Sequence, residues 1–259
     1  MRSALLRPKN AHAGTLAVVA LLALGVPDTT YGATETVNRT ANVAANGTVT
    51  IRNFSGSVSV TGTDRTDVSV HAVRRASPDR LARIKLDVQS DGRDVTIEAN
   101  KHAGERQDRD NVVETDLTIE VPRGVRLDVD AFSSPVRIQR IQGTDHHVKT
   151  FSGTLTLEQV AGPIVAESFS GEIGISTDGW KPKDRLQLKT FSGDIDVRLP
   201  AEASAAVQFD SFSGDLDSDL PLTLRSKSKR ALRAELNGGD ESKGAIDLRT
   251  FSGDVHLRK

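Results

Sequence analysis

Acidic side chains recur at fixed places in this chain and could do chemistry as a group. Four of them directly follow a Phe-Ser-Gly triplet: Glu172, Asp194, Asp215 and Asp254. Asp196 and Asp217 extend two of these positions into Asp-x-Asp pairs. Stacked carboxylates repel unless a cation or a shared proton intervenes, so the cluster could hold Ca²⁺ or cleave a glycosidic bond. Aspartate is equally at home beside solvated turns, and no glycine-rich calcium nonapeptide is present, so we favour the turn.

Histidine and serine offer two further candidate chemistries. His146 and His147 are adjacent, and neighbouring strand residues face opposite sides, so one ion cannot easily take both. We predict a satisfied, partly buried His146. The repeated serines lack the individual base that a nucleophile needs. We therefore predict no catalytic, cofactor-binding or metal-binding residue, no cofactor and no enzymatic activity.

The composition narrows the class of protein. The chain has 259 residues, no cysteine and a net charge of −1, which excludes disulfides, thiolate metal sites and a nucleic-acid-binding profile. Residues 1–33 have a basic start, an apolar stretch (Thr15–Val26) and a small-residue exit, as in an export signal cleaved after Gly32 or Ala33. No later segment could span a membrane. We predict an exported protein that is periplasmic, displayed on the cell surface or secreted.

One short motif dominates the remaining sequence. Seven of the eight phenylalanines precede a serine, and six of these seven pairs precede a glycine. The motif residues are Phe54, Ser55, Gly56, Phe132, Ser133, Phe151, Ser152, Gly153, Phe169, Ser170, Gly171, Phe191, Ser192, Gly193, Phe212, Ser213, Gly214, Phe251, Ser252 and Gly253.

Apolar residues alternate on both sides of the motif, which indicates strands with one buried face. They stand three and five residues before each phenylalanine, and four and six residues after it. The apolar residues therefore stand at odd distances before the phenylalanine and at even distances after it. We predict a bend at the Thr-Phe or Ser-Phe junction, with the phenylalanine inside the corner. Phe191→Ala should then cost about 3–5 kcal/mol of unfolding free energy.

The spacing of the motif predicts stacked coils. From Phe132 to Phe212 the intervals are 18–22 residues, and the intervals of 39 and 78 residues elsewhere would be two and four such steps. A period near 20 is typical of solenoids. The predicted fold is all-β, a parallel β-solenoid or single-stack β-helix. Its regions are a linker or N-terminal cap (34–46), divergent coils (47–124) and clear coils (125–259). Within the divergent coils, Ser77 and Pro78 predict the start of a helix of one to two turns, and the polar residues 100–111 predict a protruding loop.

The position two residues before the phenylalanine is charged, with alternating sign, in five successive units: Asp130, Lys149, Glu167, Lys189 and Asp210. In stacked coils these residues would be outward neighbours about 4.8 Å apart. Opposite charges there stabilise by about 0.2–1 kcal/mol per pair. This charge ladder predicts that Lys189→Glu destabilises the protein more than Lys189→Gln.

The pattern V-x-T-F-S-G-D-I-x-V, which residues 188–197 match as L-K-T-F-S-G-D-I-D-V, resembles a bacterial putative-adhesin family of exported proteins with serine-glycine β-strand repeats, a domain of unknown function. The resemblance covers residues 47–259 and is strongest over 125–259. It implies a single-stack β-helix and an adhesive role, and some relatives are implicated in envelope stress responses.

Three functions follow from these observations. The first is a non-enzymatic cell-envelope protein with an adhesin-like binding or scaffold role, whose ligand is an envelope component, a surface or a protein. The second is a polysaccharide-acting β-helix enzyme, which the low aromatic content of 4% disfavours. The third is a periplasmic partner of an envelope-stress system.

Overall fold

The computed structural model describes residues 32–102 and 112–259. Most of the predicted export signal and of the predicted loop over 100–111 lies outside these residues. The described strands, in chain order, are β1 (Ala33–Asn42), β2 (Thr48–Ser55), β3 (Val58–Thr63), β4 (Asp67–Ala76), β5 (Ile84–Ser90), β6 (Val95–His102), β7 (Glu114–Pro122), β8 (Arg126–Ser133), β9 (Val136–Gln139), β10 (His146–Ser152), β11 (Leu155–Glu158), β12 (Ile164–Ser170), β13 (Ile173–Ser176), β14 (Arg185–Ser192), β15 (Ile195–Arg198), β16 (Ala205–Ser213), β17 (Leu216–Ser218), β18 (Leu222–Lys227), β19 (Ala231–Leu236), β20 (Ala245–Ser252) and β21 (Val255–Arg258).

The strands form two sheets, so the all-β prediction is confirmed. One sheet has ten strands in the order β1-β4-β7-β3-β9-β11-β13-β15-β21-β17. The other has eleven strands in the order β18-β19-β16-β20-β14-β12-β10-β8-β2-β6-β5. The one helix among the described residues, α1 (Pro78–Arg83), begins after Ser77 with proline at its first position, as the sequence predicts. No helix in the described part of the chain is long and apolar enough to cross a bilayer.

Seven coils make up the middle of the structure. In each coil, a strand of the eleven-stranded sheet ends at the motif serine, and a shorter strand of the ten-stranded sheet begins after the corner, as in β14 and β15. Equivalent residues of neighbouring coils pair in parallel register: Phe-flanking Thr150 with Ser168, and Ser168 with Thr190. Each motif position therefore forms a column that runs across the sheet.

The prediction of a single parallel stack is not confirmed, because both sheets are mixed. β4 pairs antiparallel with β1 and with β7, and β5 pairs antiparallel with β6. At the other end β19 pairs antiparallel with β16 and β18. The 39-residue interval after Phe212 thus contains an antiparallel hairpin instead of a further coil. The 78-residue interval after Phe54 contains the antiparallel strands β4 and β5, together with β6 and β7, which pair in parallel with β2 and β3.

The coils do not stack in strict chain order. β20 and β21, the last coil in the sequence, lie between β14–β15 on one side and β16–β17 on the other. Leu248 of β20 pairs with Leu188 of β14 and also with Phe209 of β16. The β18–β19 hairpin separates β17 from β20 in the chain, which gives the last coil the length of chain it needs to return.

The core lies between the two sheets, at the alternating apolar positions that the sequence predicts. Residues three and five before the phenylalanine are buried in every coil, and those four and six after it are buried in every coil except that of Phe212. There, Leu216 and Ser218 are only partly covered. Two layers of Val, Ile and Leu thus exclude water along the stack, which is the main stabilising contribution expected for such a fold.

The motif phenylalanines lie outside this core, so their predicted interior position is wrong. All seven are 43–53% exposed. The residue before each of them is the buried one: Asn53, Ala131, Thr150, Ser168, Thr190, Ser211 and Thr250. The strand alternation continues through the phenylalanine, and the parity changes one step later, at Ser-Gly. Only small or short side chains occupy the inside of this narrow corner.

The Ser-Gly corner is held by a ladder of backbone hydrogen bonds. The Gly171 N–H donates to the carbonyl oxygen of Ser192 at 3.0 Å, and the Gly193 N–H donates to that of Ser252 at 3.2 Å. The six motif glycines have φ between +105° and +155°. A Cβ at any of them would lie 2.0–2.4 Å from a carbonyl oxygen of the adjacent segment. Glycine is therefore required by both the conformation and the close approach of the neighbouring coil.

The divergent region 47–124 is β structure, and it closes one end of the stack. The segment 34–46, predicted as a linker or cap, contains most of β1, which pairs along its whole length with β4. Helix α1 packs against β1, β4 and β5. At this end Arg74 is buried, and its guanidinium donates to Glu35 and to the carbonyl oxygen of Ile84.

Candidate functional site

The motif phenylalanines form a continuous row on the outer face of the eleven-stranded sheet. The rings follow the strand order Phe54, Phe132, Phe151, Phe169, Phe191, Phe251 and Phe212. Neighbouring ring centroids are 4.7–4.9 Å apart and the planes differ by 2–10°. The row is therefore roughly 29 Å long, from six spacings set by the strand repeat.

The stacking determines which part of each ring meets the solvent. Each inner ring is covered on both faces by its neighbours, so the exposed atoms belong mainly to the ring edges. Stacked pairs contribute about 0.5–1.5 kcal/mol beyond their burial. The rings thus stabilise one another outside the core, which explains how seven large apolar side chains can remain half exposed.

A column of charged residues runs beside the phenylalanine row on the same face. In strand order it consists of Glu98, Arg52, Asp130, Lys149, Glu167, Lys189, Arg249 and Asp210, each paired with the next. The Lys149 Nζ lies 3.5 Å from a Glu167 carboxylate oxygen. The sign alternates from Glu98 to Lys189. Arg249 then lies between Lys189 and Asp210, so the predicted Lys189–Asp210 neighbour pair is wrong.

The row and the charge column together line a shallow groove of about 880 Å³. Its floor contains the short residues that precede each phenylalanine, such as Thr150 and Ser168. Arg230, in the turn of the β18–β19 hairpin, closes one end, with its guanidinium carbon 4.1 Å from the Phe212 ring centroid. This is a cation–π contact.

Sequence reasoning missed four residues of this surface. Arg52 and Arg249 stand two residues before a motif phenylalanine, so their position could have placed them in the charge column. Glu98 and Arg230 belong to segments without the motif. Their position depends on the antiparallel strands, which the sequence repeat does not predict.

We predict that Lys149→Glu destabilises the protein by about 1 kcal/mol and that Lys149→Gln costs about half of that, because Asp130 and Glu167 flank this lysine. Lys189→Glu should cost less than Lys149→Glu, since its new repulsion from Glu167 is offset by attraction to Arg249. Urea unfolding of the variants measures these differences. Equal losses for the two reversals would contradict the order of the column.

Some of the acidic residues after the corners have structural partners. The Asp194 carboxylate accepts the Asp254 N–H at 2.8 Å, and the Asp254 carboxylate accepts the Asp215 N–H at 2.9 Å. Asp196 forms an ion pair with Arg258 at 3.4 Å. Glu172, Asp194 and Asp196 do line a small depression of about 200 Å³ on the ten-stranded sheet. Within residues 32–102 and 112–259, however, no group of three acidic or histidine side chains could hold a metal ion.

The two histidines face opposite sides of β10, as predicted. His147 Nε2 lies 3.2 Å from Asp145 on the outer face. His146 is fully buried among apolar residues, and its Nδ1 accepts the Leu127 N–H at 3.3 Å. Its Nε2 has no hydrogen-bond partner among the described residues, so His146 is less satisfied than predicted.

Burial lowers the pKa of His146 below 6.5, although the carbonyl groups of Gly143 and Ala161 oppose the shift. The unfolded chain therefore binds a proton near pH 6.5 that the folded protein does not bind. We expect the unfolding free energy to be constant above this pH and to fall below it, by up to about 1.4 kcal/mol per pH unit.

Denaturant unfolding between pH 8 and about pH 5 measures this loss. His146→Leu should remove the His146 part of it, and His147→Gln should leave it unchanged. An identical acid sensitivity in His146→Leu would contradict the assignment.

The motif serines are mostly exposed, and their backbone carbonyl oxygens carry the corner ladder described above. In the described part of the chain, none of the motif serine hydroxyls forms a hydrogen bond with a histidine or carboxylate side chain. Their repetition thus serves the corner, in agreement with the structural role that the sequence favours.

Comparison with known proteins identifies the family. The family model Toastrack DUF4097 matches residues 26–258, and the chain belongs to this family. Among curated proteins, none matches the chain significantly. It stays a prediction that serine-glycine strand repeats are a property of the family.

A solved structure shares the fold at low sequence identity, and a second is similar at a lower TM-score. A putative cell adhesion protein from Clostridium sporogenes has a TM-score of 0.51 and 11% identity, over 88% of this chain and 99% of that one. A putative adhesin from Bacteroides fragilis has a TM-score of 0.37 and 12% identity, over 86% of this chain and 97% of that one. At these identities the likeness concerns the fold alone.

Proposed function

We propose that this Toastrack DUF4097 protein is a non-enzymatic, exported cell-envelope protein that binds a protein partner in an adhesin-like manner. The exposed phenylalanine row carries the proposal. Soluble proteins rarely expose a contiguous apolar surface of this extent, and such patches mark interaction sites. The role agrees with the name of the solved structure that shares the fold.

The geometry of the row favours a protein partner over a sugar. Carbohydrates pack against the faces of aromatic rings, and here the inner faces are covered by the neighbouring rings. Ring edges flanked by charged side chains resemble a protein–protein interface, in which aromatic residues are enriched and a polar rim surrounds the centre. The alternating charge column would set the register of the partner and discriminate against wrong partners.

The non-enzymatic part of the proposal rests on the carboxylates. Of the acidic residues that could form a hydrolase pair, Asp194 and Asp254 accept backbone N–H groups and Asp196 pairs with Arg258, which are structural tasks. A general acid and base need freedom to reach a substrate. Export rests on the sequence of residues 1–33.

Binding of the fluorescently labelled protein to envelopes of the bacterium that encodes it tests the proposal. A variant with Phe132, Phe151, Phe169 and Phe191 changed to threonine should bind at least about ten-fold more weakly, a loss of about 1.4 kcal/mol. The control variant changes Ser59, Arg137, Thr156 and Asp196, on the outer face of the other sheet, to alanine and should bind normally. Equal binding by the phenylalanine variant would overturn the proposal.

Treatment of the envelopes separates the classes of partner. Protease should abolish binding, and periodate oxidation of sugars should leave it intact. The opposite pattern would favour a glycan ligand and contradict the protein partner. Release of soluble oligosaccharides from the envelopes would instead support the enzymatic alternative.

A further inference from the structure

In the described part of the chain, the two ends of the stack differ: at one end both sheets continue beyond the last coil, and at the other end only one sheet does. Beyond the first coil, β2–β3, the eleven-stranded sheet continues with β6 and β5, and the ten-stranded sheet with β7, β4 and β1. The two layers therefore extend together, and helix α1 packs at this end. Beyond the opposite coil, β16–β17, the eleven-stranded sheet adds β19 and β18, whereas the ten-stranded sheet adds no strand among the described residues.

The β18–β19 hairpin therefore overhangs the other sheet by two strands, about 9.6 Å. Its inward positions continue the core columns, because Leu232 pairs with Phe209 and Leu224 pairs with Ala234. Leu224 is 56% exposed, and Leu222 and Leu232 are only partly covered. Leu216, the last residue of its core column, is also partly open. At this end the apolar core is therefore covered by the hairpin on one side and by no described strand of the ten-stranded sheet on the other.

The two free edges at this end carry opposite charges. β18 is the edge of the eleven-stranded sheet, and its exposed basic residues are Arg225, Lys227 and, in the hairpin turn, Lys229. Lys227 pairs with Leu232 and therefore lies on the same side of the hairpin as the inward leucines. The one carboxylate of the hairpin, Glu235, is already bound by Arg225 at 2.6 and 2.7 Å. The hairpin is thus strongly basic.

The other edge is acidic. β17 is the edge of the ten-stranded sheet, and the exposed Asp215, Asp217 and Asp219 alternate along it. Asp217 and Asp219 lie 3.9 Å from His256 and Arg258, respectively, at the limit of an ion pair, and both remain more than half exposed. An edge strand with free backbone groups is a template for another strand unless it is protected.

We infer that this end binds the same end of a second copy of the chain. A two-fold axis parallel to the strands places the overhanging hairpins of the two copies face to face, at the normal separation of packed sheets. The inward leucines of each hairpin then cover those of the other. The same rotation brings each basic β18 edge against the acidic β17 edge of its partner, so both sheets continue across the junction.

The charges on the β18 and β17 edges favour this two-fold axis over the alternative one. An axis perpendicular to the strands would place β18 against β18. Lys227 and Lys229 would then face their own copies, and the two β17 edges would lie roughly 24 Å apart, because each hairpin overhangs by two strands. Like charges opposite each other destabilise a sheet. The inference does not depend on the proposed function, because it uses the end of the stack and leaves the phenylalanine row free.

Sedimentation velocity of the purified protein over a range of concentrations tests the inference. We expect a dimer at low salt that weakens as the salt concentration rises. Leu224→Ser, at an exposed position, should weaken dimerisation at least about ten-fold, or about 1.4 kcal/mol. The variant with four phenylalanines changed should dimerise like the unaltered protein, which separates this result from the function test.

Two charge-reversed variants make the test specific. One carries Lys227→Glu and Lys229→Glu, and the other carries Asp217→Lys and Asp219→Lys. Each alone should be monomeric, because like charges then meet at both junctions. An equal mixture should form a heterodimer, because both junctions are complementary again. This recovery also demonstrates that both variants are folded.

Three outcomes would overturn the inference. The unaltered protein could be monomeric at every concentration. The aspartate variant alone could dimerise like the unaltered protein, which would indicate pairing of β18 with β18 or another surface. The mixture could also remain monomeric although both variants unfold cooperatively.

Discussion

Gly193→Ala is expected to cost about 2–6 kcal/mol of unfolding free energy. Gly193 has a φ of +143°, and a Cβ there would lie 2.4 Å from the carbonyl oxygen of Gly171 in the neighbouring coil. The conformational strain and the overpacking each cost about 1–3 kcal/mol. The coils would have to separate, and the Gly193–Ser252 and Gly171–Ser192 backbone hydrogen bonds would weaken as a result.

Gly92→Ala is the matched control, because it separates conformation from crowding. Gly92 also has a positive φ, +90°, but a Cβ there would meet no atom within 4 Å. We expect a loss of about 1–2 kcal/mol from strain alone. Urea unfolding at one pH measures both variants. If Gly193→Ala lost no more than Gly92→Ala, the close packing of corners would not be a stabilising constraint.

Leu188→Ala is expected to cost about 2–5 kcal/mol, because the side chain is fully buried between the sheets. Phe191→Ala, three residues later, should cost less, about 1–3 kcal/mol. It removes two stacking contacts, with Phe169 at 4.9 Å and with Phe251 at 4.7 Å, from a ring that is 45% exposed. This replaces the larger loss that an interior phenylalanine would imply.

Thermal and urea unfolding of both variants, with the exposed Gln187→Ala as a surface control, measure the difference. The control should change the unfolding free energy by less than about 0.5 kcal/mol. A Phe191→Ala loss equal to that of Leu188→Ala would mean that the ring contributes as a core residue does, against its position in the structure.

The sequence was sufficient for the core because alternation is a local property. Leu186, Leu188 and Ile195 could be assigned to the interior from spacing alone, since a strand has no other way to bury one face. The parallel register of the motif was also predictable, because identical corners of equal length stack most simply in register. The position of α1 followed from Ser77 and Pro78.

The sequence predicts the wrong position for the phenylalanines because hydrophobicity alone decides where in the corner the buried face changes. Phe191 is more apolar than Thr190, so the parity change was assigned to the junction between them. In the structure Thr190 is the buried residue and its hydroxyl donates to the Gly171 carbonyl at 3.3 Å. Ring stacking at the strand spacing stabilises the phenylalanines outside the core. It requires several coils together, so the sequence of a single coil does not reveal it.

The order of the coils was not predictable from intervals. The 39 residues between Phe212 and Phe251 are compatible with two steps of a regular stack, and nothing local distinguishes this from a hairpin followed by an inserted coil. The charge column even favours the wrong order, because the alternation of sign places Asp210 next to Lys189, whereas Arg249 lies between them. Tertiary pairing decided the arrangement.

The inserted coil has a consequence for how the protein is made. Chains are synthesised from the amino terminus, and early segments can begin to fold before later ones emerge. Residues 205–218 precede residues 245–258 in the chain, so β16 and β17 can gain their neighbours β20 and β21 only after residues 245–258 have been synthesised. Until then the parallel edges of β14 and β15 also lack these neighbours. The pairing of both sheets at this end is thus coupled to the synthesis of a segment that lies about 40 residues further along the chain.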